Sequence, residues 1–183
     1  MYLDVVLESD LPYLRNYRNM YPIRRWCRQM GLISEPQQYG WYQMINEDSS
    51  IEMFCIRVDD EDEGKVTLPV GVCGLTSISG LHRRAEFSLY IAPAFQRKGY
   101  AKKALKMLLK FGFDELGLNV IWGESFEGNP ATKMFESLGM IHEGTRHQFY
   151  YKEGQFIDAN LYSITSKEFN KRNPKLRIES SDE

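Results

Sequence analysis

From Tyr100 to Phe113, apolar residues recur at spacings of three and four. Ala101, Ala104, Leu105, Leu108 and Phe111 make one face, and Lys102, Lys103, Lys106 and Lys110 the other. That period predicts an amphipathic helix, the best defined in the chain. Immediately before it, the apolar-rich run Arg84 to Ala92 is closed by Pro93 and predicts a strand. Further strands are expected at Leu3 to Leu7, Ile51 to Val58, Leu68 to Ile78, Val120 to Ser125, His147 to Tyr151 and Phe156 to Ser163. The last two form a hairpin across Lys152-Glu153-Gly154-Gln155. Ser9 and Asp10 can cap a helix running through Tyr17, and a second short helix is expected at Ile23 to Met30. Ser34 and Gln37 frame a capping box for a helix over 35 to 46, with Trp41 and Ile45 on its buried face. Pro130 to Leu138 predicts another helix, stopped by Gly139.

Composition narrows this picture. A chain of 183 residues, 43% hydrophobic and 26% charged, has the length of one domain whose core needs neither disulfide nor metal. The expected division is a single domain over 1–166 and a charged, proline-bearing tail over 167–183, at the surface or without fixed structure. The acidic stretch Asp59 to Gly64 suits a solvated hairpin tip. A net charge of -2 lacks the basic balance of a nucleic-acid binder. The longest apolar runs fall short of the roughly 20 residues of a membrane span, and the start has no basic n-region. A cytoplasmic protein with no nucleic-acid or membrane partner is expected; its oligomeric state is left open. Cys27, Cys55 and Cys73 show no paired spacing and read as small buried hydrophobes, and His82, His142 and His147 stand apart, so no metal is expected.

Chemistry enters at Gln96-Arg97-Lys98-Gly99-Tyr100-Ala101-Lys102. A turn that delivers a strand into a helix leaves backbone N–H groups unpaired at the positive end of the helix dipole, which is an anion site. Gly99 permits close backbone approach, Ala101 keeps the next turn small, and Arg97, Lys98 and Lys102 add charge, so a pyrophosphate would fit. Neither a P-loop nor a dinucleotide fingerprint is present.

This loop resembles the pyrophosphate loop of the GNAT superfamily of acyl-CoA N-acyltransferases, Q/R-x-x-G-x-G/A between a strand and a long helix. Asn129-Pro130-Ala131-Thr132 and Phe135-Glu136-Ser137-Leu138-Gly139-Met140 look like the family's second cofactor motif. The resemblance implies a mixed α/β (α+β) fold: a mostly antiparallel central sheet of six to seven strands with helices on both faces. It also implies acetyl-CoA as co-substrate. The backbone of Leu89, Tyr90 and Ile91 would pair with the pantetheine arm, residues 96 to 102 would hold the pyrophosphate, and Asn129 would touch the cofactor. The whole is similar to the branch of ribosomal-protein alanine and nucleotide-sugar amine acetyltransferases, the latter suggested by Arg24, Trp26, Trp41 and Tyr42. A small amino sugar or nucleotide sugar is then the expected acceptor. A peptide N-terminus, or a non-catalytic acetyl-CoA-binding role, is the alternative. Two features depart from the family. Phe135 stands where a tyrosine usually protonates the leaving thiolate, and the spacing from Asn129 to Gly139 is one residue short.

N-acetylation needs a neutral amine, and an alkylammonium of ordinary pKa is only about one part in 2,500 neutral at pH 7. A base is required. Alternation puts Glu86, Ser88 and Tyr90 on one strand face, which makes Glu86 the first candidate base. Glu124 is the second, because the family's acetyl-CoA lies where these two strands separate. The ordinary alternative for Glu86 is pairing with Arg83 or Arg84. Tyr150, Tyr151 and Ser125 are the available donors to a thiolate. Between Leu11 and Ser34 lie Arg15, Arg18, Arg24, Arg25 and Arg28 with no acidic residue. In the GNAT fold this segment borders the acceptor groove, so Arg24 and Arg25 are candidate contacts to a phosphate or carboxylate on the acceptor.

Overall fold

Each strand run offers alternate side chains to opposite faces, so the sheet they build must be covered twice. The computed structural model describes residues 1–29, 31–59 and 67–174. Among these, seven strands form one sheet: β1 (Tyr2–Val5), β2 (Glu52–Asp59), β3 (Thr67–Ser79), β4 (Arg84–Ile91), β5 (Val120–Phe126), β6 (Ile141–Lys152) and β7 (Gln155–Thr165). Their spatial order is β1-β2-β3-β4-β5-β7-β6, and every neighbouring pair is antiparallel except β4 with β5. The helices are α1 (Leu11–Asn19), α2 (Tyr21–Arg24), α3 (Glu35–Glu47), α4 (Tyr100–Asp114), α5 (Thr132–Leu138) and α6 (Ser166–Arg172). This is the mixed, mostly antiparallel sheet with helices on both faces that was expected.

Alternation sorts the core. Cys73 and Leu75 of β3, Phe87 and Ile91 of β4, Ile121 of β5 and Ile164 of β7 meet Leu105, Leu108, Leu109 and Phe113 of α4, with Phe135 and Leu138 of α5. On the other face Cys55 and Val72 meet Leu11 and Leu14 of α1, and Trp41, Tyr42 and Ile45 of α3 pack partly buried against them. The Ser34 and Gln37 capping box forms as read, and the β6–β7 hairpin turns at Glu153 and Gly154 with φ of 53° and 82°.

Several boundaries move, each for a physical reason. Asp10 does not cap α1 with its side chain. It is buried, and its carboxylate accepts from Arg57 Nη2 at 2.8 Å and Nη1 at 3.1 Å and from the Leu7 N–H at 2.9 Å. The helix expected at Ile23 to Met30 ends at Arg24, because the carbonyls of Arg24, Cys27 and Gln29 turn instead toward the Lys152 ammonium; Met30 lies outside the described residues. Cys55 and Cys73 are buried, whereas Cys27 is only partly so and is polar-bonded, accepting from Arg18 Nη1 at 2.6 Å. The boundary at residue 166 does not hold either. A capping box between Thr165 and Glu168 starts α6, and Phe169, 4% exposed, packs on Phe113 with ring centroids 5.4 Å apart. The tip of the β2–β3 hairpin, 60–66, and the end of the tail, 175–183, lie outside the described residues.

Arg57 is a buried cation that bridges β2 to the start of α1, with a further bond from Nε to Asp4 at 2.8 Å. Removing it strands the Asp10 carboxylate in the interior. Arg57→Met is expected to lower unfolding stability by about 3–5 kcal/mol, read by urea denaturation. A loss below about 1 kcal/mol would show that the pair does not hold α1 to the sheet.

Candidate active site

β4 and β5 run side by side for only three pairs, Arg84 with Val120, Ala85 with Ile121 and Glu86 with Trp122. Just past the last pair, the ring of Phe87 fills the space over Gly123: a Cβ at 123 would lie 2.4 Å from it. Phe87 meets Phe135 edge-on at 5.2 Å, and Phe135 meets Tyr162 at 5.5 Å. Phe135 is therefore a packed core ring. From here residues 87–91 and 123–126 no longer pair with each other, and the backbone edges of two strands face a gap. An extended, amide-bearing chain can lie in such a gap and bond to the β4 backbone at Leu89, Tyr90 and Ile91. Ser125, on the unpaired stretch of β5, is buried, and its Oγ has no hydrogen-bond partner among the described residues.

The gap leads to the turn before α4. Arg97 and Gly99 both adopt left-handed backbone, φ 64° and 82°. The first helical bond runs from the Lys103 N–H to the Gly99 carbonyl at 3.1 Å, so the N–H groups of Tyr100, Ala101 and Lys102 have no intrahelical acceptor. A Cβ at Gly99 would meet nothing within 4 Å. A cavity of about 500 Å³ opens beside this turn, bordered by Lys98, Gly99, Tyr100 and Lys103 on one side and by Met1, Val58 and Asp59 on the other. The Gln96 side chain braces the turn by donating to the Ile91 carbonyl at 2.8 Å.

On the opposite face of the sheet, Glu86 and Glu124 point the same way. Neither pairs with Arg83 or Arg84. A single guanidinium nitrogen, Arg28 Nη2, bridges both, lying 2.6 Å from Glu124 Oε1 and within hydrogen-bond reach of Glu86 Oε1. The Glu124 side chain is 5% exposed and also accepts from Arg146 Nη1 at 3.0 Å and from the Tyr150 hydroxyl. Burial pulls the Arg28 pKa down, but Glu86 and then Glu124 more than offset it, and the guanidinium stays charged. Burial, with the Glu124 bond behind it, raises the Tyr150 pKa, so the hydroxyl keeps its proton.

Lys152 sets the position of the segment that carries Arg28. Its ammonium, on a side chain almost fully buried, donates to the carbonyls of Arg24 at 2.7 Å, Gln29 at 3.0 Å and Cys27, with the Phe126 ring 5.6 Å away. Burial lowers its pKa. Arg18 helps, bonding Gln29 and Cys27 and stacking on Tyr90.

The sequence-predicted residues thus fall into two groups. Leu89 to Ile91 and Gln96 to Lys102 lie along the gap and its turn, and Glu86, Glu124 and Tyr150 cluster on the far face. Asn129 is spent on its own turn, its Oδ1 accepting from the Ala131 N–H at 3.0 Å. Arg25 stacks on Tyr21 and Trp26 rather than joining the carboxylates, and Trp41 lines a separate cavity of about 340 Å³ with Arg18, Ser88 and Tyr90. Tyr151 faces away, stacked on Phe156. The sequence assigns no site role to Arg28, Arg146 or Lys152. The arginine-rich, acid-free stretch was the signal that pointed toward Arg28.

A family model described as Acetyltransferase (GNAT) domain matches residues 2–141. The chain is 32% identical over 165 residues to the spermidine N(1)-acetyltransferase of Vibrio cholerae serotype O1, covering 89% of this chain and 92% of that protein. It is 33% identical over 96 residues to the uncharacterized N-acetyltransferase YoaA of Bacillus subtilis, 52% of this chain and 54% of that protein. The fold superposes on a crystal structure of spermidine N-acetyltransferase from Vibrio cholerae in complex with CoA and spermine. The TM-score is 0.82 at 25% identity, covering 92% of this chain and 96% of that one.

Lys152→Met removes the donor to three partly buried carbonyls, and the expected cost is on the order of 1–3 kcal/mol, measured by thermal unfolding. Acetyl-CoA binding by calorimetry should hold while the KM for an amine acceptor rises. Equal damage to both would show that Lys152 supports the fold generally and not the Arg28 segment.

Proposed function

The chain belongs to the GNAT acetyltransferase family, and from that premise we propose that it acetylates a small-molecule primary amine bound at Glu86 and Glu124. It is an N-acetyltransferase with acetyl-CoA as its co-substrate. The observation that carries the acceptor side is Arg28: the two carboxylates already hold an organic cation between them. A substrate ammonium has the same charge and fewer atoms.

Acetyl-CoA supplies the activated acetyl thioester. The open edges of β4 and β5, the N–H groups of the first turn of α4 and the Ser125 hydroxyl, unpartnered among the described residues, support its fit along the gap. Leu89, Tyr90 and Ile91 would pair with its amide-bearing arm, and residues 97 to 102 would receive its phosphates. Glu86 takes the first proton from the ammonium, directly or through one water, and passes it to solvent. As the C–N bond forms and the C–S bond breaks, Tyr150 gives its proton to the departing sulfur. Glu124 takes the second nitrogen proton and returns it to Tyr150. Protons then balance: one released, one on the thiol. In this reading Tyr150 does the work usual for a tyrosine at position 135, where this chain has a core phenylalanine.

The acceptor class is the finer question. The Vibrio relative is named for spermidine, which supports an aliphatic amine. Arg24, Trp26 and Trp41 instead prompted the amino-sugar and nucleotide-sugar reading, and a peptide N-terminus belongs to the same chemistry. A thiol-release assay across polyamines, amino sugars, nucleotide sugars and short peptides separates them. With any acceptor that turns over, Glu86→Gln should lower kcat by about 10²–10⁴-fold while acetyl-CoA affinity is unchanged. Wild-type rates in both Glu86→Gln and Glu124→Gln would contradict the proposed roles.

A further inference from the structure

The Glu86 and Glu124 charges are already matched, one for one, by Arg28 and Arg146. For an ammonium to reach Glu86, the Arg28 guanidinium has to withdraw. Its side chain is 48% exposed, so it has room to move. Once withdrawn it is a cation without its partner, at the mouth of the site. A polycationic acceptor would aggravate that state. A second ammonium would enter a region where residues 11 to 34 carry five arginines and no acid.

The adjoining cavity has the same bias. Its lining includes Ser88 and Tyr90, which share a face of β4 with Glu86, and the Ser88 Cα lies about 7 Å along the strand from that of Glu86. Arg18 and the amides of Gln29, Gln37 and Gln38 line it, and among the described residues no carboxylate does. Leu32, Ile33, Trp41, Met53 and Val72 make the rest of the lining apolar, so the charge that Arg18 supplies favours an acceptor whose body is covered by these side chains and which carries a negative group.

Building on the amine-acetyltransferase reading above, we propose that the acceptor is an amine that also bears an anionic group, a carboxylate or a phosphate. On binding, two ion pairs exchange partners. The acceptor ammonium takes the place of the guanidinium at Glu86, and the released Arg28, with Arg18, takes the acceptor's anion. Charge is conserved at both ends of the exchange, which a polyamine cannot achieve. Arg28 is then a specificity-determining residue and not only a structural counter-ion.

The test compares matched acceptors in thiol release with wild type and Arg28→Gln: 6-aminohexanoate, 6-aminohexyl phosphate and 1,6-diaminohexane, then glucosamine 6-phosphate against glucosamine. Wild type is expected to favour the anion-bearing member of each set by at least tenfold in kcat/KM, with the carboxylate and phosphate arms telling the two anions apart. Arg28→Gln should cut that advantage by about tenfold and raise kcat/KM for the diamine. A wild-type preference for the diamine or for spermidine would overturn the proposal and leave the amine-acetyltransferase reading standing. So would an anion preference untouched in Arg28→Gln. Release of no thiol with any amine would take down that underlying reading as well.

Discussion

The parting of β4 from β5 is the constraint on which the rest depends. A sheet that stayed paired along these strands would bury every backbone group in its ladder and leave nothing to bind with. Pairing stops after Glu86 and Trp122, where the Phe87 ring lies on Gly123 and is held edge-on by Phe135. The parting exposes backbone toward the α4 turn on one side and brings Glu86 and Glu124 together on the other. One departure from regular pairing thus shapes both faces of the candidate site. It also accounts for Phe135, whose ring packs on Phe87 and Tyr162 beside the gap, while the Tyr150 hydroxyl on β6 donates to Glu124 on the other face.

The two sides of the site are built by different physics. The α4 turn works through oriented backbone dipoles, with Gly99 and Arg97 in left-handed conformations to aim them. The acceptor side works through paired charges. There, Arg28 and Arg146 meet Glu86 and Glu124, and Lys152 holds the Arg28 segment by its carbonyls instead of by helix formation. A cation entering between Glu86 and Glu124 would have to compete with this internal ion pair.

Much of the framework was legible because it is local. The α4 stripe, the Ser34 and Gln37 box, the Gly139 stop with φ of 94°, and the alternation that puts Glu86 opposite Phe87 all depend on residues close in sequence. The errors come from distant partners. Asp10 reads as a cap, yet Arg57 draws it inward from 47 residues away. Ile23 to Met30 reads as helix, yet Lys152, more than 120 residues on, takes its carbonyls. Glu86 was weighed against its neighbours Arg83 and Arg84, while its partner lies 58 residues earlier. The charge of the tail hides the buried Phe169 that docks α6.

The most direct test of the account is amide hydrogen exchange with and without acetyl-CoA. The gap and the α4 turn predict slowed exchange confined to peptides covering 87–92 and 97–103, with α1 and α3 unchanged. No protection in either peptide, or protection only on the α1 and α3 face, would contradict the assignment of the parted strands as the acetyl-CoA site.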